Sequence, residues 1–184
     1  MSETGTVRIV LASDNHGDSE SLRYLRDTYS DYDYFVHCGD SIMPVKDMEG
    51  WICVCGNNDF QYGSAVPDQQ ILEAAGHRIY ICHGHMDFIS YFHYRPMAAR
   101  AAAKNCDLVF FGHVHTVHDE TVDGIRILNP GSLLHNRDGS APTYMLVHLS
   151  ENNINVQVMQ YHSSTPSLKE DGWLMKLIRA LQKL

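Results

Sequence analysis

No uninterrupted apolar run in this chain reaches the ~18 residues that a membrane-spanning helix needs. The opening Met1, Ser2, Glu3, Thr4, Gly5, Thr6 also lacks the basic and apolar stretches of a secretory leader. Both absences point to a cytoplasmic protein without membrane contact. Positive charge is scarce as well: Lys plus Arg is 14 against 22 for Asp plus Glu, a net charge of −8. An extended nucleic acid is therefore not an expected partner, whereas a small phosphorylated molecule remains open. The five cysteines, Cys38, Cys53, Cys55, Cys82 and Cys106, are odd in number and lie in or beside expected strands. That suits reduced core thiols better than a disulfide framework, and Cys53 with Cys55 lacks the second pair that a zinc site of that type uses. Internal repeats, low-complexity tracts and linkers are all missing, so the 184 residues are expected to form one domain over 1–184.

What is present begins with a grammar of strand, loop and helix. Val7 to Ser13 is apolar and β-branched, as a strand buried on both faces would be, and it runs into Asp14, Asn15, His16, Gly17, Asp18. Ser19 or Asp18 can cap a helix whose Leu22, Leu25 and Tyr29 share a face. Further strands are expected over Tyr34 to His37, ending in Cys38, Gly39, Asp40, and over Trp51 to Cys55, ending in Gly56, Asn57, Asn58, Asp59. A weaker one covers Gln70 to Ala74, and after the Gly76 turn Arg78 to Cys82 ends in His83, Gly84, His85. Pro96 to Asn105 reads as a helix, with proline tolerated at its start and an Ala-rich body. Leu108 to Phe111 then delivers Gly112, His113, Val114, His115.

From there hairpins take over: His118 to Val122 with Ile125 to Leu128 across Asp123 and Gly124, then Tyr144 to Leu149 with Ile154 to Tyr161 across Asn152 and Asn153. Alternation followed by hairpins predicts a mixed sheet or two packed sheets with helices outside. The tail places Trp173, Leu174, Leu177, Ile178, Leu181 and Leu184 at helical spacing, an amphipathic helix over 168–184. It serves either to cap the core or to associate with a second copy or another protein.

Five loops, each following an expected strand, carry one class of residue: Asp14 and His16; Asp40; Asn57 and Asp59; His83 and His85; His113 and His115. In parallel-type sheets the carboxyl ends of strands gather at one edge, so these loops are expected to converge. Oxygen and imidazole donors without an obligatory thiolate suit a divalent ion of the Mn, Fe, Co, Ni or Zn kind. Asp59 is expected to orient a ligand and not to ligate.

This ordered set, with the closing Asn129, Pro130, Gly131, Ser132, resembles the calcineurin-like metallophosphoesterases, and in particular their small YfcE-like phosphodiesterase branch, over roughly residues 7 to 161. The resemblance implies a four-layer αββα sandwich, two mixed sheets flanked by helices, with two divalent metals at the strand carboxyl ends. Manganese is the expected ion and Fe, Ni, Co or Zn the alternatives. It further implies that Asp14, His16 and His115 hold the first metal, that Asn57, His83 and His113 hold the second, and that Asp40 bridges them. Two ions, two carboxylates and one hydroxide then sum to +1, a cationic hole for phosphate in an acidic protein. The implied reaction is hydrolysis of a small phosphodiester by in-line attack of the bridging hydroxide. Asp40, Asn57 and His83 take catalytic roles through the metals they hold.

One position departs from the resemblance. Larger members carry His after the metal-binding Asn, where it protonates the leaving oxygen. Asn58 cannot act as an acid, and general acid catalysis contributes ~10² to 10⁴ in rate, so good leaving groups are expected to be favoured. His85 is the nearest candidate for a replacement acid. The alternative to an enzyme is a non-catalytic scaffold that binds proteins, the use to which one retromer subunit puts this fold.

Overall fold

The computed structural model describes residues 5–87 and 93–162. The helix expected over 168–184 and the aromatic residues Phe88, Tyr91 and Phe92 lie outside them. The first strand, β1 (Val7–Ala12), is followed by helix α1 (Ser19–Thr28), β2 (Tyr34–His37), β3 (Ile52–Cys53), β4 (Gln69–Ala74) and β5 (His77–Cys82). Helix α2 (Arg95–Ala102) and β6 (Leu108–Phe110) come next, then β7 (Val117–Val122), β8 (Ile125–Pro130), β9 (Thr143–Ser150) and β10 (Asn153–Gln160). These strands build two five-stranded sheets, in the orders β10-β9-β1-β2-β3 and β4-β5-β6-β8-β7. In the first, β1, β2 and β3 are parallel and β9 and β10 antiparallel; in the second, β5, β6 and β8 are parallel and β4 and β7 antiparallel.

The near-continuous apolar strands follow from burial on both faces. Along β1, Ile9 and Leu11 point between the sheets, where they meet Ile79, Ile81, Leu108, Phe110, Val147 and Leu149. Val10 and Ala12 point the other way, onto Leu22 and Leu25 of α1. The second sheet repeats this, with Tyr80, Val109 and Ile127 facing Met97, Ala98 and Ala101 of α2. Three apolar layers between four structural layers give the expected αββα sandwich. The edge strands β4 and β10 alternate between exposed and partly buried residues along most of their length, as strands with one solvated face do.

The structure differs from expectation at several boundaries. Asp18 is the α1 cap, with its side chain accepting from Glu20 and Ser21 N–H, and the helix ends before Tyr29. Only Ile52 and Cys53 of the expected Trp51 to Cys55 strand are assigned to the ladder, because Cys55 N–H turns to Pro67 O at 2.8 Å as the chain leaves to form the Asn57 loop. Helix α2 stops at Ala102 and not at Asn105, which takes a left-handed φ of 56° that ends the helical run. All five cysteines are free thiols. No helix among the described residues is long and apolar enough to cross a membrane.

Candidate metal centre

Five parallel strands bring the loops to one edge. The first sheet sends Asp14 and His16 from β1, Asp40 from β2 and Asn57 from β3, and the second sends His83 and His85 from β5 and His113 and His115 from β6. The two sets meet across the sandwich. His115 Nε2 stands 3.0 Å from Asp14 Oδ1 and 3.3 Å from His16 Nε2. His83 Nε2 stands 3.4 Å from Asp40 Oδ2 and 3.2 Å from Asn57 Oδ1. The His113 ring lies 5.1 Å from that of His83, centroid to centroid. Asp14, His16 and His115 form one group able to hold an ion, and Asp14, Asp40 and His83 form another. Asp40 Oδ2 also lies 4.0 Å from His16 Nε2, between the two groups. All seven expected ligand positions are thus gathered. Asp14, Asp40 and His83 form a buried floor, and Asn57 stands exposed at the open side.

The loops that aim these donors are strained. Asp14, His16, Asp40, His113 and His115 have φ of 55°, 44°, 53°, 71° and 52°, in the left-handed region that L-residues enter at a cost of roughly 1–2 kcal/mol each. Cross-loop hydrogen bonds hold them there. Asp14 N–H donates to Gly39 O and His16 N–H to Asp40 O, both at 3.1 Å, and Gly112 N–H donates to His83 O at 3.0 Å. Gly112 has to be glycine because a Cβ there would run into Ser13 Oγ and the Asp14 carboxylate.

Donor chemistry and hydrogen bonding fit a cation. His83 Nδ1 bonds Cys38 O at 2.7 Å and His115 Nδ1 bonds His135 O at 3.0 Å, which fixes the proton on Nδ1 and turns each Nε2 lone pair to the interior. Those lone pairs face carboxylate oxygens, which is repulsive unless positive charge stands between them. Asp14 divides its oxygens accordingly. Oδ2 accepts from Ser13 Oγ at 2.5 Å and His113 N–H at 3.0 Å, while the buried Oδ1 has no hydrogen bond and faces His115 and His16.

The proton affinities show the same demand for charge. Burial pushes the His83 imidazole down, but its bond to Asp40 and the charges of Asp14 and Asp40 outweigh this and hold it above the ordinary value. Burial pushes the Asp40 carboxyl up, and the His83 bond and charge with the Asn58 donors overcome that to hold it well below the usual range. A proton on His83 occupies the electrostatic place that a divalent ion would take. His113 is pushed down to about 4 by burial and by the charge of His83, which leaves its imidazole neutral and available as a ligand.

Asn58 does more here than fail to be an acid. Its N–H donates to Asp40 Oδ1 at 2.7 Å and its side-chain Nδ2 to Oδ2 at 2.5 Å, so it grips the carboxylate at both oxygens. Asn58→Ala is expected to weaken divalent-ion binding about 10- to 100-fold, the usual effect of removing a group that orients a ligand. Competition against a chelating dye reads this directly, and an unchanged affinity would show that the grip has no bearing on the ion.

Asp59, expected to orient a ligand, holds backbone and no ligand side chain. Its carboxylate accepts from Asp40, Ile42 and Gly56 N–H at 2.7, 2.7 and 2.8 Å, tying the Asp40 loop to the Asn57 loop. His85 sits 5.4 Å from His83, ring to ring, and burial and the charge of His83 lower its proton affinity. Ser132 Oγ donates to Asp14 O at 2.8 Å and Asn129 Nδ2 to Gly112 O at 2.7 Å, so the Asn129 to Ser132 stretch braces the ligand loops from beneath. Arg137 is exposed on the next loop, with its N–H on His115 O at 2.9 Å. Tyr94 is buried against Phe111 and His118. Carbonyl partners such as Cys38 O and His135 O carry no signal in a sequence, because every residue type has one.

The sequence pattern of the calcineurin-like phosphoesterase superfamily domain matches residues 7–152. A probable metallophosphoesterase of Mycoplasma pneumoniae is 30% identical over 154 residues, which cover 80% of this chain and 92% of that one. Among solved structures, a predicted phosphoesterase from Streptococcus pneumoniae superposes with a TM-score of 0.79 at 28% identity, over 90% of this chain and 96% of the other. Vacuolar protein sorting 29 from Cryptosporidium parvum has a TM-score of 0.66 at 16% identity, over 86% of this chain and all of its own; that similarity extends to the fold.

Proposed function

Because this chain belongs to the calcineurin-like phosphoesterase superfamily, we propose that it is a two-metal phosphodiesterase that hydrolyses a small phosphodiester. The observation that carries this reading is the pair of donor groups with interior-facing Nε2 lone pairs and an orphaned Asp14 Oδ1. In this reading Asp14, His16 and His115 hold one divalent ion and Asn57, His83 and His113 the other, with Asp40 between. When bound, the ions supply Lewis-acid charge for the phosphoryl oxygens and an activated water for attack. Manganese is the proposed ion, since hard oxygen and imidazole donors suit it.

The chain's own residues contribute orientation and charge. Asp40, gripped by Asn58, keeps its negative charge fixed between the two donor groups, and the Cys38 and His135 carbonyls keep His83 and His115 in the ligating tautomer. Exposed Asn57 marks the side from which a phosphoryl group enters. No acid stands at position 58, and burial and the charge of His83 lower the proton affinity of the candidate acid His85, so the leaving oxygen departs with little protonation and the rate depends steeply on its basicity. A matrix of metals against an aryl phosphodiester, an aryl phosphomonoester and a cyclic nucleotide, run on chelator-stripped protein, tests the proposal. The aryl diester is expected to turn over fastest with manganese. Turnover of none of the three with any metal would leave the scaffold reading in its place.

A further inference from the structure

The ligand loops carry apolar side chains that stand exposed among the described residues. Of the eight large hydrophobic residues exposed among the described residues, four stand on these loops: Ile42 at 42%, Phe60 at 85%, Met86 at 58% and Leu134 at 50% exposed. Ile42 lies two residues after Asp40, Phe60 three after Asn57 and Met86 one after His85. Leu134 lies on the loop whose Ser132 braces Asp14 and whose His135 carbonyl holds His115. Single surface hydrophobics are ordinary, but here four stand on separate ligand loops of one centre. Ile42 is also held there against its preference. A β-branched residue at φ 53° is a backbone outlier, and Asp59 fixes it by accepting its N–H at 2.7 Å.

We propose that these four side chains form an apolar rim that binds an aryl substituent of the phosphoester, so that the enzyme's substrates are aryl phosphodiesters in which the metals take the phosphoryl group and Ile42, Phe60, Met86 and Leu134 take the ring. The inference rests on the phosphodiesterase reading and adds the other half of the substrate to it. Two independent features of the site select the same chemistry. The floor of the centre is charged and serves only the phosphoryl oxygens, which leaves the apolar rim to meet whatever the phosphorus carries. Asn58 offers no proton, and an aryl oxide leaves without one far more readily than an alkoxide, since a phenol has a pKa of about 10. An aryl group therefore satisfies the rim and the missing acid together.

The test uses methylphosphonate and phenylphosphonate, single-substituent ligands that are not hydrolysed, titrated calorimetrically into metal-loaded wild type, Phe60→Ser and Leu134→Ser. Phenylphosphonate is expected to bind wild type about 10-fold tighter or better than methylphosphonate, the scale that burial of one ring on an apolar surface supports. In each variant that ratio is expected to fall below about threefold. Phe60 and Leu134 are at least half exposed, so loss of fold is not expected to confuse the result. Equal affinity of both ligands for wild type, or a full ratio retained in both variants, overturns the proposal. So does a wild-type dimer in sedimentation that Phe60→Ser splits, which would make the rim an interface between copies. A phenyl preference lost in the variants, in a protein that hydrolyses no diester, would uphold the rim as an aryl-phosphate site and overturn the phosphodiesterase reading alone.

Discussion

Asp40→Asn is expected to lower phosphodiester turnover by about 10³-fold or more while leaving the protein folded. The substitution keeps the shape of the side chain and removes the charge that lies 3.4 Å from His83 Nε2 and 4.0 Å from His16 Nε2. It also sets the new amide against a donor. Asn58 presents an N–H to one Asp40 oxygen and an NH₂ to the other, so one of the two contacts becomes donor against donor. Losing the shared negative charge costs several kcal/mol of ion binding and transition-state charge stabilisation, and each 1.36 kcal/mol is tenfold in rate. The measurement is kcat/KM on an aryl diester at saturating metal, with a circular dichroism spectrum to establish folding. A variant as fast as wild type would rule out any reading in which Asp40 stands between the ions.

Asp59→Ala is expected to act on stability and not on chemistry. The Asp59 carboxylate is buried and takes backbone N–H bonds from Asp40, Ile42 and Gly56, with Ser41 Oγ at 3.3 Å as a fourth partner. Alanine leaves those donors buried without an acceptor, at about 1–3 kcal/mol each. The losses are not additive, and roughly 3–5 kcal/mol in total is the expected effect, a large part of the 5–15 kcal/mol that holds a typical domain together. Urea unfolding of chelator-treated protein isolates this from metal binding. A loss below about 1 kcal/mol would mean that the two loops find their positions without Asp59.

Much of this architecture could be read from residue order. The apolar runs of β1, β5 and β6 announce strands buried on both faces, and the turn signals Asp123, Gly124 and Asn152 mark the hairpins. The clustering of the five ligand loops follows from parallel topology alone. Other features have no signature at the level of residue type. The early exit of β3 depends on Cys55 N–H finding Pro67 O, a contact between segments that no local pattern encodes. Asn58 reads as a missing acid, and only its position over Asp40 shows it to be a clamp. Asp59 reads as a residue that orients a ligand, and only its backbone partners show that it ties two loops together. Left-handed φ at Asp14, His16, Asp40, His113 and His115 is likewise invisible, because none of these residues is the glycine that advertises it. The exposed apolar side chains of the ligand loops have no signature either, since residue type does not tell that Phe60 and Leu134 face solvent.

The division of the Gly112, His113, Val114, His115 motif between two ions is the centre of this account, and counting metals tests it most directly. Wild type, His113→Ala and His115→Ala are loaded with manganese, freed of excess ion and measured for metal per chain alongside diester turnover. The account predicts two ions per wild-type chain, about one in each variant, and loss of turnover in both. Saturation of wild type at one ion, or two ions retained in both variants with turnover intact, would contradict it.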